Sequence, residues 1–184
     1  MPTIMNRPLL RSSLRFALAC LILTIVGVGL VSVLTFMQGQ RDEVRRADGL
    51  LLAYAAAPSP ALLDHLVELY KRGYAPKVVL VGSDIATVRS ALEREGLSDE
   101  VVLAIEGSSD ALTNMRNAAK LAREQGMQSV LIADDPSYML LQLKMARDLD
   151  LRAYGSPPPD SEAQLDDLLR LSFSYWGYVL LGQG

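Results

Sequence analysis

The 22 residues from Phe16 to Met37, FALACLILTIVGVGLVSVLTFM, carry no charge, and this run constrains the chain more than any other feature. As a helix rising about 1.5 Å per residue it reaches about 33 Å, enough to cross a hydrocarbon core of roughly 30 Å. Its backbone groups are satisfied internally and no ionised side chain has to enter lipid. A cleaved secretory leader is the competing reading, but its apolar region would run about 7 to 15 residues and end on small residues. Here the run is longer and leads into Gln38-Gly39-Gln40, so an uncleaved, single-pass anchor is expected. Cys20 lies too near the start of the run to suit a lipid-attachment cysteine and reads as a small apolar residue of the anchor.

Arg7, Arg11 and Arg15 precede the run and Arg41, Arg45 and Arg46 follow it, so counting positive charges gives a tie. A short basic tail without acids favours the cytoplasm, which places the remaining domain outside. The expected division is a basic tail over 1–15, the membrane helix over 16–37, a linker over 38–46 and one domain over 47–184, a usual size for a single core.

Every acidic residue lies beyond Met37, so the part after the anchor holds 15 basic and 21 acidic residues, net −6. That balance argues against nucleic acid as a partner. With Cys20 the only cysteine, the domain can build neither a disulfide nor a thiolate zinc site. His65, the only histidine, falls in the helical pattern ALLDHLVELYKRG beside Asp64 and Glu68 and reads as a solvated helix residue.

Short apolar runs alternate with helical patterns along the rest of the chain. GLLLAY, KVVLV (77–81), 101–105, 130–133 and 151–154 read as strands. Helices are expected over 60–72, 85–95, 111–125, 138–149 and from Ser161 to about Leu181. This alternation predicts a doubly wound, mainly parallel α/β sheet of about five strands with helices on both faces, a Rossmann-like arrangement.

In such sheets ligands sit beyond the carboxyl ends of the strands, against helix amino termini. The rule selects Tyr54 to Ser59, Gly82-Ser83-Asp84, Glu106 to Asp110, and Asp134 to Tyr138. Gly82 lets backbone approach a ligand and Ser83 offers a hydroxyl, although Ser83 and Asp84 equally suit helix capping. Glu106 and Ser109 precede a helix on which Asn114 reaches either the crevice or a neighbouring loop. Asp134 and Asp135 invite a divalent-cation site with Asp84 or Glu106, against the plainer role of helix caps. No phosphate-binding fingerprint is present, and no residue pattern identifies a cofactor or a catalytic group.

Over 47–181 the order of segments resembles the YdcF/SanA/ElyC-like family, a bacterial domain of unknown biochemical activity associated with the cell envelope. ADGLLLAY, LVELYKRGYAPKVVLVG, SSDALTNMRNAAKLARE and VLIADDPSYMLLQLKMARDLDLRAYGSPPP carry the resemblance. Ser109 and Asn114 match that family's Ser-x-Thr-x-x-Asn segment, with Ala111 where threonine is usual and Thr113 where glutamate is usual. In the Thr-Ser-x-x-His-Met-x-x-Arg segment, Asp134-Asp135 replaces Thr-Ser and Tyr138 the histidine. Tyr54-Ala55-Ala56-Ala57 stands where the family is glycine-rich.

A phenol with a reference pKa of about 10 does not shuttle protons as histidine does near neutrality. The resemblance therefore implies a membrane-anchored envelope protein with a rewritten crevice that binds a small polar ligand. Candidate ligand contacts are Gly82, Ser83, Asp84, Glu106, Ser109, Asn114, Asp134, Asp135 and Tyr138. Two rival expectations are a metal-assisted hydrolase or transferase acting on an envelope precursor, and a non-catalytic interaction module using Phe173, Tyr175, Trp176 and Tyr178 on the last helix. Those aromatics equally suit a core position.

Overall fold

The computed structural model describes residues 7–159, 161 and 165–181. The first six residues of the expected tail, residues 162–164 of the expected final helix and the last three residues of the expected domain lie outside the described residues, as does residue 160.

The expected alternation is present as α1 (Arg7–Gly39), β1 (Gly49–Ala53), α2 (Pro60–Lys71), β2 (Val78–Gly82), α3 (Ile85–Arg94), β3 (Val102–Glu106), α4 (Ala111–Glu124), β4 (Ser129–Ala133), α5 (Pro136–Asp148), β5 (Arg152–Ser156) and α6 (Leu165–Leu181). All strand pairs are parallel, in the order β3-β2-β1-β4-β5. Leu51 of β1 is in register with Val79 of β2 on one side and Ile132 of β4 on the other. The chain winds outward from β1 to β3, then returns through α4 to β4. The order in which strands are added therefore reverses between β1 and β4.

Burial on both faces explains why the central strands read as unbroken apolar runs. Leu51, Val79 and Ile132 pack with Met115, Ala118 and Ala122 of α4 and Met139 and Leu143 of α5. Leu50, Leu52, Val78 and Leu80 pack with Leu62, Leu66 and Leu69 of α2 and Ile85, Val88 and Leu92 of α3. One open edge, along β5, is partly covered by the linker, where the Glu43 N–H donates to the Gly155 carbonyl at 2.8 Å and Arg45 lies over the Tyr154 ring.

His65 corrects the sequence reading. It is 8 % exposed, and its Nε2 lies 2.9 Å from the buried Ser156 Oγ at the end of β5. Three positions after Leu62 and one before Leu66, it shares the covered face of α2, so burial lowers its pKa despite nearby Asp42. Strand and helix ends also move. β2 ends on Gly82, β5 extends to Ser156, α5 starts at Pro136, and Ser161 is not helical. Proline suits the first turn of α5 because it gives up only an N–H that has no helical partner.

Residues 15–39 of α1 form a helix long and apolar enough to cross a membrane, with mean hydropathy 2.7. From Phe16 to Val26 it stands clear of the domain, and Cys20 is exposed there. Beyond that point one stripe of the helix lies on α5 and α6, with Val31 and Thr35 each 3 % exposed. Small residues permit this approach. A β-carbon at Gly39 would meet the Pro136 carbonyl oxygen at 2.6 Å, one at Gly27 would touch the Trp176 ring at 3.4 Å, and Ser32 Oγ lies 2.8 Å from Ser172 Oγ. On α6, Tyr175 and Tyr178 pack toward the core while Phe173 is 60 % exposed.

Candidate functional site

The reversal between β1 and β4 opens a crevice of about 690 Å³ at the carboxyl edge of the sheet, where the topology of open α/β sheets places ligands. Its walls come from the loop after β1 (Ala53 to Pro58), the start of α4, the Asp134-Asp135 corner, one face of α5 and the inner face of α6. Ser109, Asp134, Asp135 and Tyr138, all expected from the sequence, line it together. Gly82, Ser83, Asp84, Glu106 and Asn114 do not.

Gly82, Asp84 and Glu106 form a separate group on the β2–β3 side. Gly82 pairs in register with Glu106, and the Asp84 N–H donates to Glu106 Oε1 at 3.1 Å. Asp84 sits at the start of α3 with φ 56°, a left-handed conformation that aspartate tolerates better than most residues. Its carboxylate accepts the Thr87 hydroxyl at 2.9 Å and caps no backbone N–H. Between this group and the crevice stands Tyr54. Its ring packs on Gly82, and its hydroxyl is buried with no partner among the described residues. Burial, then Glu106 and Asp84, push the Tyr54 pKa up to about 12, so the phenol stays neutral.

Asn114 is fully buried and its amide is committed to backbone. Nδ2 donates to the Tyr54 and Ser108 carbonyls at 2.7 Å each, and Oδ1 accepts the Ser108 N–H at 2.8 Å. It ties the loop after β1 to the loop after β3, so it shapes the crevice from behind. Gly107 makes room for this clamp, because a β-carbon there would lie 2.5 Å from Asn114 Oδ1. Asp110 caps the start of α4, accepting the Thr113 N–H at 2.8 Å, and the Thr113 hydroxyl first and that N–H second hold its carboxyl below the usual range.

Asp134 and Asp135 depart from the capping role. Asp135 is the residue before α5, yet its side chain makes no capping bond. Asp134 is 8 % exposed, and its Oδ1 accepts the Asp135 N–H at 2.8 Å. Burial, with Asp135 adding to it, raises the Asp134 pKa to about 8 even though the Asp135 N–H and Gln142 oppose the shift. Burial also raises the Asp135 carboxyl, with Asp167 contributing. Among the described residues no three His, Cys, Asp or Glu side chains gather to hold a metal ion. The four acids of the metal expectation are split, with Asp84 and Glu106 on one side of Tyr54 and Asp134 and Asp135 on the other.

Gln142 and Arg170 also line the crevice and were not singled out by the sequence. Gln142 follows Tyr138 by four residues, which places both on one face of α5, and that spacing was the available signal. Arg170 comes from α6, whose placement over the crevice no local pattern announces. Its guanidinium donates to the Tyr138 hydroxyl and, at 3.0 Å, to Asp167.

The fold and site define an α/β protein with a crevice at the reversal point of a parallel sheet and an amino-terminal helix able to cross a membrane. No family model, curated protein or solved structure matches the chain.

Proposed function

We propose that the chain is a membrane-anchored, YdcF-like protein of the bacterial cell envelope that binds a small polar ligand in the crevice between β1 and β4. The observation that carries this reading is the convergence of Ser109, Asp134, Asp135 and Tyr138 on one cavity at the reversal point of the sheet. Polar side chains gathered in a concave, partly apolar site are the usual makings of a small-molecule pocket. The acid-free basic stretch ahead of Phe16 supports a domain on the extracytoplasmic side. The separation of Asp84 and Glu106 from Asp134 and Asp135 favours a binding site over a four-carboxylate metal centre.

The test is thermal unfolding of the full chain in mild detergent against a panel of sugars, small amides, nucleotides and phosphate esters. A ligand at 100 times its Kd stabilises by about 2.7 kcal/mol. At least one member is expected to raise Tm, and Ala56→Trp, which fills the mouth from an exposed position, is expected to abolish the rise. No shift with any member, or one that survives Ala56→Trp, contradicts the reading.

A further inference from the structure

Tyr138, Leu141 and Met145 recur three and four residues apart on α5, and Leu171, Ser174 and Tyr178 do the same on α6, so each helix gives the crevice one continuous face. The two helices run side by side in the same direction. At one end Arg170 donates to the Tyr138 hydroxyl, and at the other the Tyr178 hydroxyl donates to Asp148 Oδ2 at 2.9 Å. Asp148 follows Tyr138 on α5 by a rise of about 15 Å. The lining changes over that length. Ser109, Asp134 and Asp135 gather with Tyr138 at the carboxyl edge of the sheet, whereas Leu141, Met145, Leu171 and Tyr178 follow along the two helices.

The anchor helix fixes where the apolar end points. α6 lies antiparallel to α1, with Ser172 Oγ 2.8 Å from Ser32 Oγ and the Trp176 ring beside Gly27. Passing from Arg170 to Tyr178 therefore leads toward Val26 and the stretch of α1 that stands clear of the domain. Ser172 and Trp176 meet α1 while Leu171, Ser174 and Tyr178 of the same turns line the crevice, so its apolar end lies one helix away from the anchor. Gly177 keeps that end open, because a β-carbon there would meet nothing within 4 Å.

We infer that the ligand of the crevice is a phosphate-free amphiphile drawn from the bilayer, its hydroxyl- or amine-bearing head held at Ser109, Asp134 and Asp135 and its hydrocarbon tail laid along α5 and α6 toward the membrane. The inference rests on the crevice being the binding site and on α1 being the anchor. A wholly polar solute would set its hydrogen-bonding groups against Leu141, Met145 and Leu171, which offer no partner, whereas a hydrocarbon tail loses nothing there. A phosphate head is opposed by the charges around it. Among the described residues lining the crevice Arg170 is the one cation, and Asp167 and the Tyr138 hydroxyl engage it, while Asp110, Asp134 and Asp135 crowd the same end.

The test is photo-crosslinking of the full chain in phosphatidylcholine vesicles, using trace lipids with a diazirine at the tail end. The probes are a monoacylglycerol, a long-chain amino alcohol, the same tail on a phosphate monoester head, and phosphatidylcholine itself. The monoacylglycerol or the amino alcohol is expected to label Leu141 and Met145, which are buried from bulk lipid, and Gly177→Leu, which fills the open end, is expected to abolish that label. Phosphatidylcholine should label only outward residues such as Phe173 and Leu180, equally in parent and variant, which reports that α6 is still seated. Crevice labelling by neither phosphate-free probe, labelling that survives Gly177→Leu, or equal labelling by the phosphate-headed probe would overturn the inference. A water-soluble ligand that raises Tm and is blocked by Ala56→Trp, with the crevice unlabelled by the phosphate-free probes, would leave the crevice a binding site and remove the amphiphile alone.

Discussion

The ring of Tyr54 lies so close over Gly82 that a β-carbon at position 82 would fall well inside the van der Waals radii of the ring carbons. The two residues form a wall between the Asp84–Glu106 group and the crevice. Gly82→Ala must therefore move the ring or the end of β2. We expect a loss of about 1 to 3 kcal/mol in urea unfolding, the usual cost of overpacking a filled site, with Gly82→Ala in a Tyr54→Ala background relieved of most of it.

Asn114 makes three hydrogen bonds to backbone from a fully buried position. Asn114→Leu leaves the Tyr54 and Ser108 carbonyls and the Ser108 N–H without that partner, at about 1 to 3 kcal/mol per group left unsatisfied. A drop in Tm is expected, together with faster amide exchange in both the loop after β1 and the loop after β3. A drop in stability with exchange unchanged in the loop after β1 would show that the amide does not hold the two loops together.

The raised Asp134 pKa makes stability depend on pH with a definite sign. Between its ordinary 3.8 and about 8 the folded chain holds a proton that the unfolded chain releases. That contribution is complete at the acid end and is lost as pH rises through about 8, at up to about 1.4 kcal/mol per pH unit. Asp48 works the other way. The Ser129 hydroxyl and the Gln128 and Ser129 N–H groups hold its carboxyl low, so its contribution is present above the ordinary carboxylate range and lost as pH falls below it. Urea unfolding across this range should show Asp134→Asn with a flatter profile and a higher stability than the parent at the alkaline end. An unchanged profile would contradict the assignment.

Much of the fold was legible because both faces of the sheet are covered. Leu50 to Ala53 and Val78 to Val81 are at most 2 % exposed, so they read as apolar runs whichever neighbour they pair with. The same uniformity hides strand order. Nothing local says that β4 lies beside β1, and that adjacency is what brings Ser109 near Asp134 and leaves Glu106 apart. His65 was misread because a single polar residue at the margin of an apolar stripe looks solvated until Ser156 arrives from β5. Asp134 was misread because an acid before a helix usually caps it, whereas here the backbone turns the carboxyl inward toward Gln142. Tyr54 was legible as the residue closing the first apolar run, but its place over Gly82 depends on the pairing of β1 with β2.

The anchor reading makes the sharpest claim. Within the uncharged run, the stretch that stands clear of the domain is Phe16 to Val26, and 11 residues reach about 16 Å, roughly half of a hydrocarbon core. An anchor that spans the bilayer while keeping its stripe on α5 and α6 must carry α6 into the outer margin of the lipid. The stretch from Leu171 onward, which holds Trp176, the chain's one tryptophan, bears no charge, and Trp and Tyr suit that boundary. The decisive measurement is the fluorescence of Trp176 in the full chain reconstituted in vesicles of brominated lipid, after extraction at alkaline pH has removed protein that is not inserted. Membrane-retained protein quenched most strongly by bromines near the headgroup end of the acyl chains is the predicted result. Release at alkaline pH would contradict the anchor, and retention with unquenched Trp176 would contradict the seating of α6 against it.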